Sequence, residues 1–331
     1  MSQQMEQVAV CAAPASRATE AAESGATELA ARVRRLAVER DAVILAHYYA
    51  PAEVQAVADY VGDSFYLAKL AVELPQQTIV LAGVAFMGES VKLLNPAKTV
   101  LLPEPAADCP MAHMVRAETI AAARERWGSD LAVVCYVNST IAAKAASDVC
   151  VTSSNAVKIV RELPEGHVLF IPDRNLGRYV AEQVPEKDVL LNDGCCPRHD
   201  AVSVVEVQTL RAAHPEAEVL AHPECTPEVL AEADYIGSTS GIIARAEASE
   251  AQEFIVLTVR GVSYELHRRC PGKRFFFPPT PLTCADMDSI TLGKVARCLE
   301  TGEGAVELDA SAPASLAAKR ALDRMLELAG R

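Results

Sequence analysis

The sequence predicts an α/β protein made of three related α/β/α units, each on a short parallel sheet, set about a pseudo-threefold axis. Three observations predict it. A motif of apolar run, aromatic or polar end, Ala-rich helical stretch, Asp and hydroxyl occurs three times, in "VILAHYYAPAEVQAVADYVGDS" (43–64), "AVVCYVNSTIAAKAASDVCVTSS" (132–154) and "AEVLAHPECTPEVLAEADYIGSTS" (217–240). Strand-like runs then alternate with helical stretches, the pattern of parallel sheets covered on both faces. Finally, Asp59 to Cys109, Asp148 to Cys196 and Asp234 to Cys284 are 50, 48 and 50 residues apart.

Each unit opens on an amphipathic helix: "ATELAARVRRLAVER" (26–40), "VRAETIAAARERW" (115–127) and "VVEVQTLRAAHP" (204–215). The repeated motif supplies the first strand. A helix follows ("SFYLAKLAVEL", "SNAVKIVREL", "SGIIARAEASE"), then a second strand ("TIVLAGVAFM", "HVLFIPD", "EFIVLTV"). Another helix ("GESVKLLN", "GRYVAEQV", "SYELHRRC") leads to a third strand ("TVLLPEP", "DVLLND", "RFFFPP") and then to the cysteine. The unit boundaries are 26–112, 113–199 and 200–288, with a helical extension at 289–331. Residues 1–25, biased to Ala, Ser and Glu, are expected to be a disordered tail.

In open parallel sheets, ligands gather at the C-terminal ends of strands. That end carries His47 and Tyr49 in the first unit, Tyr136 and Asn138 in the second, and His222 and Glu224 in the third. Five residues after each repeat Asp stands a hydroxyl, Ser64, Ser153 or Thr239. These hydroxyls suit helix caps, and helix N-termini bind anions. Around a threefold axis the three cysteines converge on a central cluster site. Three thiolates suit soft metals and iron–sulfur clusters, and zinc is the rival. No Cys-x-x-Cys pair is present, which argues against a zinc ribbon.

Six further cysteines, Cys11, Cys135, Cys150, Cys225, Cys270 and Cys298, have no counterpart in the repeat and read as small hydrophobes, which leaves Cys195 beside Cys196. His113, His167, His214 and His267 read as surface residues, and "EKD" (186–188) as a solvated loop. His199 reads equally as a support to the central site or as surface. The net charge of −13 argues against nucleic acid. No apolar run is long enough for a bilayer, and the N-terminus lacks a basic signal-peptide region. A cytoplasmic protein is expected, away from membranes.

The segments "AHYYAPAEVQAVADYVGDS", "DCPMA", "CYVNST", "VTSSNAVKI", "IPDRNLGRYV", "GCCPRHD", "HPEC", "ADYIGSTSGII" and "TCADMDSITLGKV" resemble the quinolinate synthase family. They span nearly all of the chain beyond the N-terminal tail. The resemblance implies a 4Fe–4S enzyme that condenses iminoaspartate with dihydroxyacetone phosphate to quinolinate in NAD biosynthesis, releasing phosphate and two waters. It implies Cys109, Cys196 and Cys284 as cluster ligands. His199, three residues after Cys196, picks that residue rather than Cys195, which the repeat spacing alone does not separate. It also implies substrate contacts at His47, Ser64, Tyr136, Asn138, Ser153, His222, Glu224 and Thr239, with Tyr49 in the pocket. L-Aspartate oxidase, as supplier of iminoaspartate, is the partner protein it implies.

On this reading Glu224 is the general base, its pKa raised toward neutrality in a half-dry pocket. Tyr49 and Tyr136 relay protons, while His47, Asn138 and His222 orient carboxylates and carbonyls. The rival functions are an aconitase-like hydro-lyase with the same open iron and a non-enzymatic cluster-based sensor.

Overall fold

The computed structural model describes residues 17–330. Cys11 and residues 1–16 of the expected tail lie outside the described residues. The first helix, Arg17–Glu39, begins within the segment read as tail.

Twelve strands form three four-stranded sheets, all parallel. The first sheet holds β1 (Ala42–His47), β2 (Tyr60–Gly62), β3 (Thr78–Ala82) and β4 (Thr99–Leu101). The second holds β5 (Leu131–Tyr136), β6 (Val149–Val151), β7 (His167–Ile171) and β8 (Asp188–Leu191). The third holds β9 (Glu218–Ala221), β10 (Tyr235–Ile236), β11 (Glu253–Leu257) and β12 (Arg274–Phe276). The spatial order is the same in each: second, first, third, fourth. The reading of three strands per unit thus missed β2, β6 and β10. They are two or three residues long and show no period of their own.

The first strand of each unit sits inside its sheet, which is why it reads as a continuous apolar run. All six residues of β5 are buried. The repeat Asp turns out to be a sheet-edge device. Asp59 Oδ2 accepts the Ile44 N–H at 2.8 Å, Asp148 Oδ2 the Val133 N–H at 2.7 Å and Asp234 Oδ2 the Val219 N–H at 2.8 Å. Each Asp N–H returns a bond to the carbonyl of the same strand residue. The aspartate therefore starts the short second strand in register against the first.

A second threefold device escaped the sequence reading. Lys98, Lys187 and Lys273 each stand two residues after a proline. Each Nζ reaches two C-terminal carbonyls of the preceding unit helix or its exit: Ala71 and Leu74, Leu163 and Glu165, Ala246 and Ser249. A cation there also meets the negative end of the helix dipole. Lys187 belongs to the "EKD" run, so that run is a capped turn and not simply a solvated loop.

One apolar core runs through units 1 and 2 and the C-terminal helices. The helix Pro313–Gly330 packs on both Ala85–Leu94 of unit 1 and Ile141–Ala145 of unit 2, joining them. Unit 3 keeps two smaller cores, one per sheet face. It meets unit 1 closely at Gly261, where a Cβ would lie 2.5 Å from Tyr49 Cα. There Gln55 Nε2 donates to the carbonyls of Tyr48, Ala50 and Gly261, pinning the turn that carries Tyr49.

Candidate active site

The C-terminal ends of the three central strands point into one cavity of about 940 Å³, open mouth included. His47 ends β1, Tyr136 ends β5 and His222 follows β9. All of the residues singled out from the sequence line it: His47, Tyr49, Ser64, Tyr136, Asn138, Ser153, His222, Glu224, Thr239, and the cysteines Cys109, Cys196 and Cys284. Cys195 does not line it; its thiol meets the Asp200 carboxylate instead.

The cysteines sit on loops after the last strand of each unit, and polar contacts fix these loops. The Asp108 N–H donates to Asp286 Oδ1 at 3.1 Å, linking the Cys109 and Cys284 loops. Asp173, which caps the helix Arg174–Gln183, accepts the Cys196 N–H at 3.0 Å. Burial pushes the Cys109 thiol up to about 12, and the field of Glu224 adds to it; burial likewise raises Cys196 and Cys284. No lysine lines this cavity, and its one arginine, Arg198, is exposed. The protein itself offers little to stabilise three thiolates, which a bound metal centre would do.

Hydrogen bonds form a chain that reaches one of the cysteines. Tyr49 O–H lies 2.8 Å from Thr258 Oγ1, and Thr258 Oγ1 lies 3.0 Å from His199 Nε2. His199 Nδ1 lies 2.7 Å from Glu224 Oε2 and 3.3 Å from Cys196 Sγ. The directions that satisfy every group run from Tyr49 to Thr258 to His199 Nε2, with His199 Nδ1–H donating to the carboxylate. His222 Nδ1 accepts the Glu224 backbone N–H at 3.3 Å, so its proton sits on Nε2 and faces Ser153 Oγ at 3.2 Å. The His199 and His222 rings stack at 4.8 Å.

Burial alone would raise the Glu224 pKa, as expected from the sequence. The outcome is the reverse: the His222 and His199 imidazoles and the Tyr136 hydroxyl outweigh burial and hold the carboxyl below the usual carboxylate range. Glu224 is therefore an ionised acceptor throughout the neutral range, with His199 Nδ1–H as its nearest donor. Burial raises the Tyr49 and Tyr136 hydroxyls, and the Glu224 charge raises them further. They remain donors at neutral pH.

His47 is pushed down to about 4 by burial, which outweighs the fields of Asp63 and Glu224. Its neutral Nδ1 accepts the Tyr49 N–H at 3.1 Å. The unfolded chain takes up this proton near pH 6.5, whereas the folded chain resists until about 4. The His47 contribution is thus intact above pH 6.5 and is lost as pH falls toward 4, by about 3 kcal/mol in full. Between pH 7 and 5, denaturant unfolding should show the wild type losing more stability than His47→Asn. Equal losses would refute the assignment.

The hydroxyls differ from the capping expectation. Asp63 caps the helix Ser64–Glu73 and Ser238 caps Thr239–Ala248, leaving Ser64 and Thr239 as first helical residues. Ser153 lies ahead of the helix Ala156–Glu162, whose N-cap is Asn155. Ser64 and Thr239 still place helix N-termini at the cavity, but Ser153 does not.

Of the residues left open or missed, His199 is buried, which removes its surface reading. Thr258 and Asp173 directly or closely follow β11 and β7. The strand-end rule that selected His47 would have found them had it been applied to the second strand of each unit. Cys135, Cys150, Cys225, Cys270 and Cys298 are buried core residues, and all described cysteines are free thiols. His113 and His267 are exposed; His167 and His214 are half-buried, His214 stacking on Phe276 at 3.5 Å.

Three parallel α/β/α units that aim strand ends and three cysteines at one central cavity define a class of cysteine-centred, three-unit α/β proteins. The family model described as Quinolinate synthetase A protein matches residues 31–327. The chain is similar to the quinolinate synthase of Fusobacterium nucleatum, 49% identical over 299 residues, covering 90% of this chain and 99% of the relative. It is similar to that of Caldicellulosiruptor bescii, 45% identical over 296 residues, covering 89% and 97%. It is also similar to that of Aquifex aeolicus, 43% identical over 308 residues, covering 91% and 94%. The chain belongs to the quinolinate synthetase A family.

Proposed function

We propose that this chain is a quinolinate synthase, a condensing enzyme that joins iminoaspartate to dihydroxyacetone phosphate. The products are quinolinate, phosphate and two waters, and the place in metabolism is de novo NAD biosynthesis. The observation that carries this reading is the cavity itself, where catalytic-type groups from three units face three cysteines.

The cofactor proposed is a 4Fe–4S cluster on Cys109, Cys196 and Cys284. The chemistry of the donor set supports it: three thiols, one from each unit, line one cavity, and three thiolates suit an iron–sulfur centre. Among the described residues, the ligand atoms of Cys196, His199 and Glu224 lie within 4.8 Å of one another, so a single ion held there is the rival. When bound, the cluster supplies a Lewis-acidic iron with a position free of protein ligands.

The chain's own residues supply the rest. His47, Asn138 and His222 orient the substrate carboxylates and carbonyls. Ser64 and Thr239 present hydroxyls beside free helix N–H groups, which suits the phosphate and carboxylates. Tyr136 donates toward developing oxyanions. A proton taken by Tyr49 from substrate passes through Thr258 to His199, whose imidazolium the Glu224 charge stabilises. No described helix is long and apolar enough to cross a membrane. A cytoplasmic setting, in which thiols stay reduced, fits the free cysteines, and an L-aspartate oxidase would supply the labile imine.

The test is direct. Protein reconstituted anaerobically to full iron and sulfide should form quinolinate from dihydroxyacetone phosphate and iminoaspartate generated in situ. A fully loaded protein that makes none would overturn the reading. Zinc in place of iron and sulfide would overturn the cofactor.

A further inference from the structure

Lys144, in the helix Ile141–Ala145, is 0% exposed. Among the described residues it forms no ion pair; the Cys150 and Cys135 thiols and the Glu89 carboxylate bear on it only through their fields. Its Nζ instead donates to two backbone carbonyls, Ser139 O at 2.8 Å and Phe86 O at 3.4 Å. The Phe86 ring lies under it at 5.4 Å. Those two carbonyls belong to different units. Ser139 follows Asn138, whose half-buried amide lines the cavity and has no hydrogen bond among the described residues. Phe86 is the second residue of the helix Ala85–Leu94 and lines the cavity with Val84 and Met87.

Burying an ammonium without a carboxylate partner is strongly unfavourable, and a well-packed apolar residue in its place is often neutral or stabilising. The apolar core already welds units 1 and 2 around this point. Cohesion therefore does not call for a lysine here, but directional donors at a cavity wall do. We propose that Lys144 is a positioning residue for the reaction: by holding the Ser139 and Phe86 carbonyls together across the unit 1–unit 2 seam, it fixes Asn138 against the substrate. The inference rests on the reading of Asn138 as a substrate-binding group.

The test uses reconstituted holoenzyme carrying Lys144→Met, Lys144→Arg, Asn138→Ala, or Lys144→Met with Asn138→Ala. Met matches the length and apolar bulk of Lys but donates nothing. Lys144→Met should raise KM about tenfold, the scale of a misplaced substrate contact, with kcat changed far less. Cluster content should be unchanged, and Tm the same or higher. Lys144→Arg, which keeps N–H donors, should recover most of the loss. Because Lys144 acts through Asn138, the double variant should be no worse than Asn138→Ala alone.

A Lys144→Met protein that unfolds, loses its cluster or keeps wild-type KM marks the lysine as structural and overturns the proposal. So does an Arg variant as poor as Met, or a double variant in which the two effects add. An Asn138→Ala protein with wild-type KM instead sinks the reading of Asn138, and the positioning role falls with it.

Discussion

Replacing Cys109, Cys196 or Cys284 by Ala should each prevent assembly of a full cluster under anaerobic reconstitution, whereas Cys195→Ala should assemble one normally. The expectation follows from placement. The three thiols line the central cavity, and the Cys196 loop is held by a bond from its N–H to Asp173. Cys195, one residue away, meets Asp200, which also accepts from Arg174 at 3.0 and 3.1 Å. Iron and sulfide per chain, with the visible spectrum, measure the outcome. Full occupancy in Cys196→Ala together with loss in Cys195→Ala would show that the liganding register is one residue off. Turnover should vanish with the cluster in the three cavity variants, and Tm should separate cluster loss from unfolding.

The adjacent pair also shows where the sequence stops informing. The repeat brings one cysteine per unit to the same place, but a shift of one residue is invisible to a spacing of 50, 48 and 50. The backbone direction that separates Cys195 from Cys196 is set by Asp173, more than twenty residues earlier, and no local pattern announces that bond.

Long-period features were legible because the three units must solve the same problem. Each central strand is largely buried and so reads as a mostly apolar run, and each uses an Asp to bond its outer N–H. These constraints recur and therefore show as a repeat. The short strands β2, β6 and β10 did not show. Their pairing is imposed by that Asp and by the neighbouring strand rather than by their own two or three residues. The lysines at 98, 187 and 273 were equally repeated, yet an exposed-looking charge after a proline suggests only a turn until the helix end it caps is in view.

The site divides in the same way. Side chains at strand ends were readable because strand direction fixes them. Side chains whose role depends on a partner in another unit were not. His199 was left undecided because its surroundings, Cys196, Glu224 and Thr258, come from three separate loops. The Glu224 pKa went the opposite way for that reason. A carboxylate in a closed pocket suggests a raised value, and only the two imidazoles and the Tyr136 hydroxyl reverse it.

That reversal sharpens the expectation for Glu224→Gln. Gln keeps the size and the carbonyl that can accept from His199 Nδ1, but it removes the negative charge. In the wild type this charge lies 2.7 Å from the His199 ring, and in the relay proposed above it stabilises the imidazolium formed when a proton arrives from Tyr49 through Thr258. Without the charge, the imidazolium loses its nearest carboxylate counter-ion in a site that excludes water, so the proposed proton uptake becomes less favourable. The rate constant kcat should fall about 10²–10⁴-fold, the usual contribution of a positioned acid–base group. KM should move far less, since the substrate contacts proposed for His47, Asn138 and His222 are untouched. Cluster iron, sulfide and spectrum should match the wild type, because Glu224 is not among the three thiol ligands. Steady-state kinetics on the loaded variant decide the matter. Near-normal turnover would mean that the proton leaves by another route, with His222, bonded to Ser153 on the other side of the carboxylate, as the next group to replace.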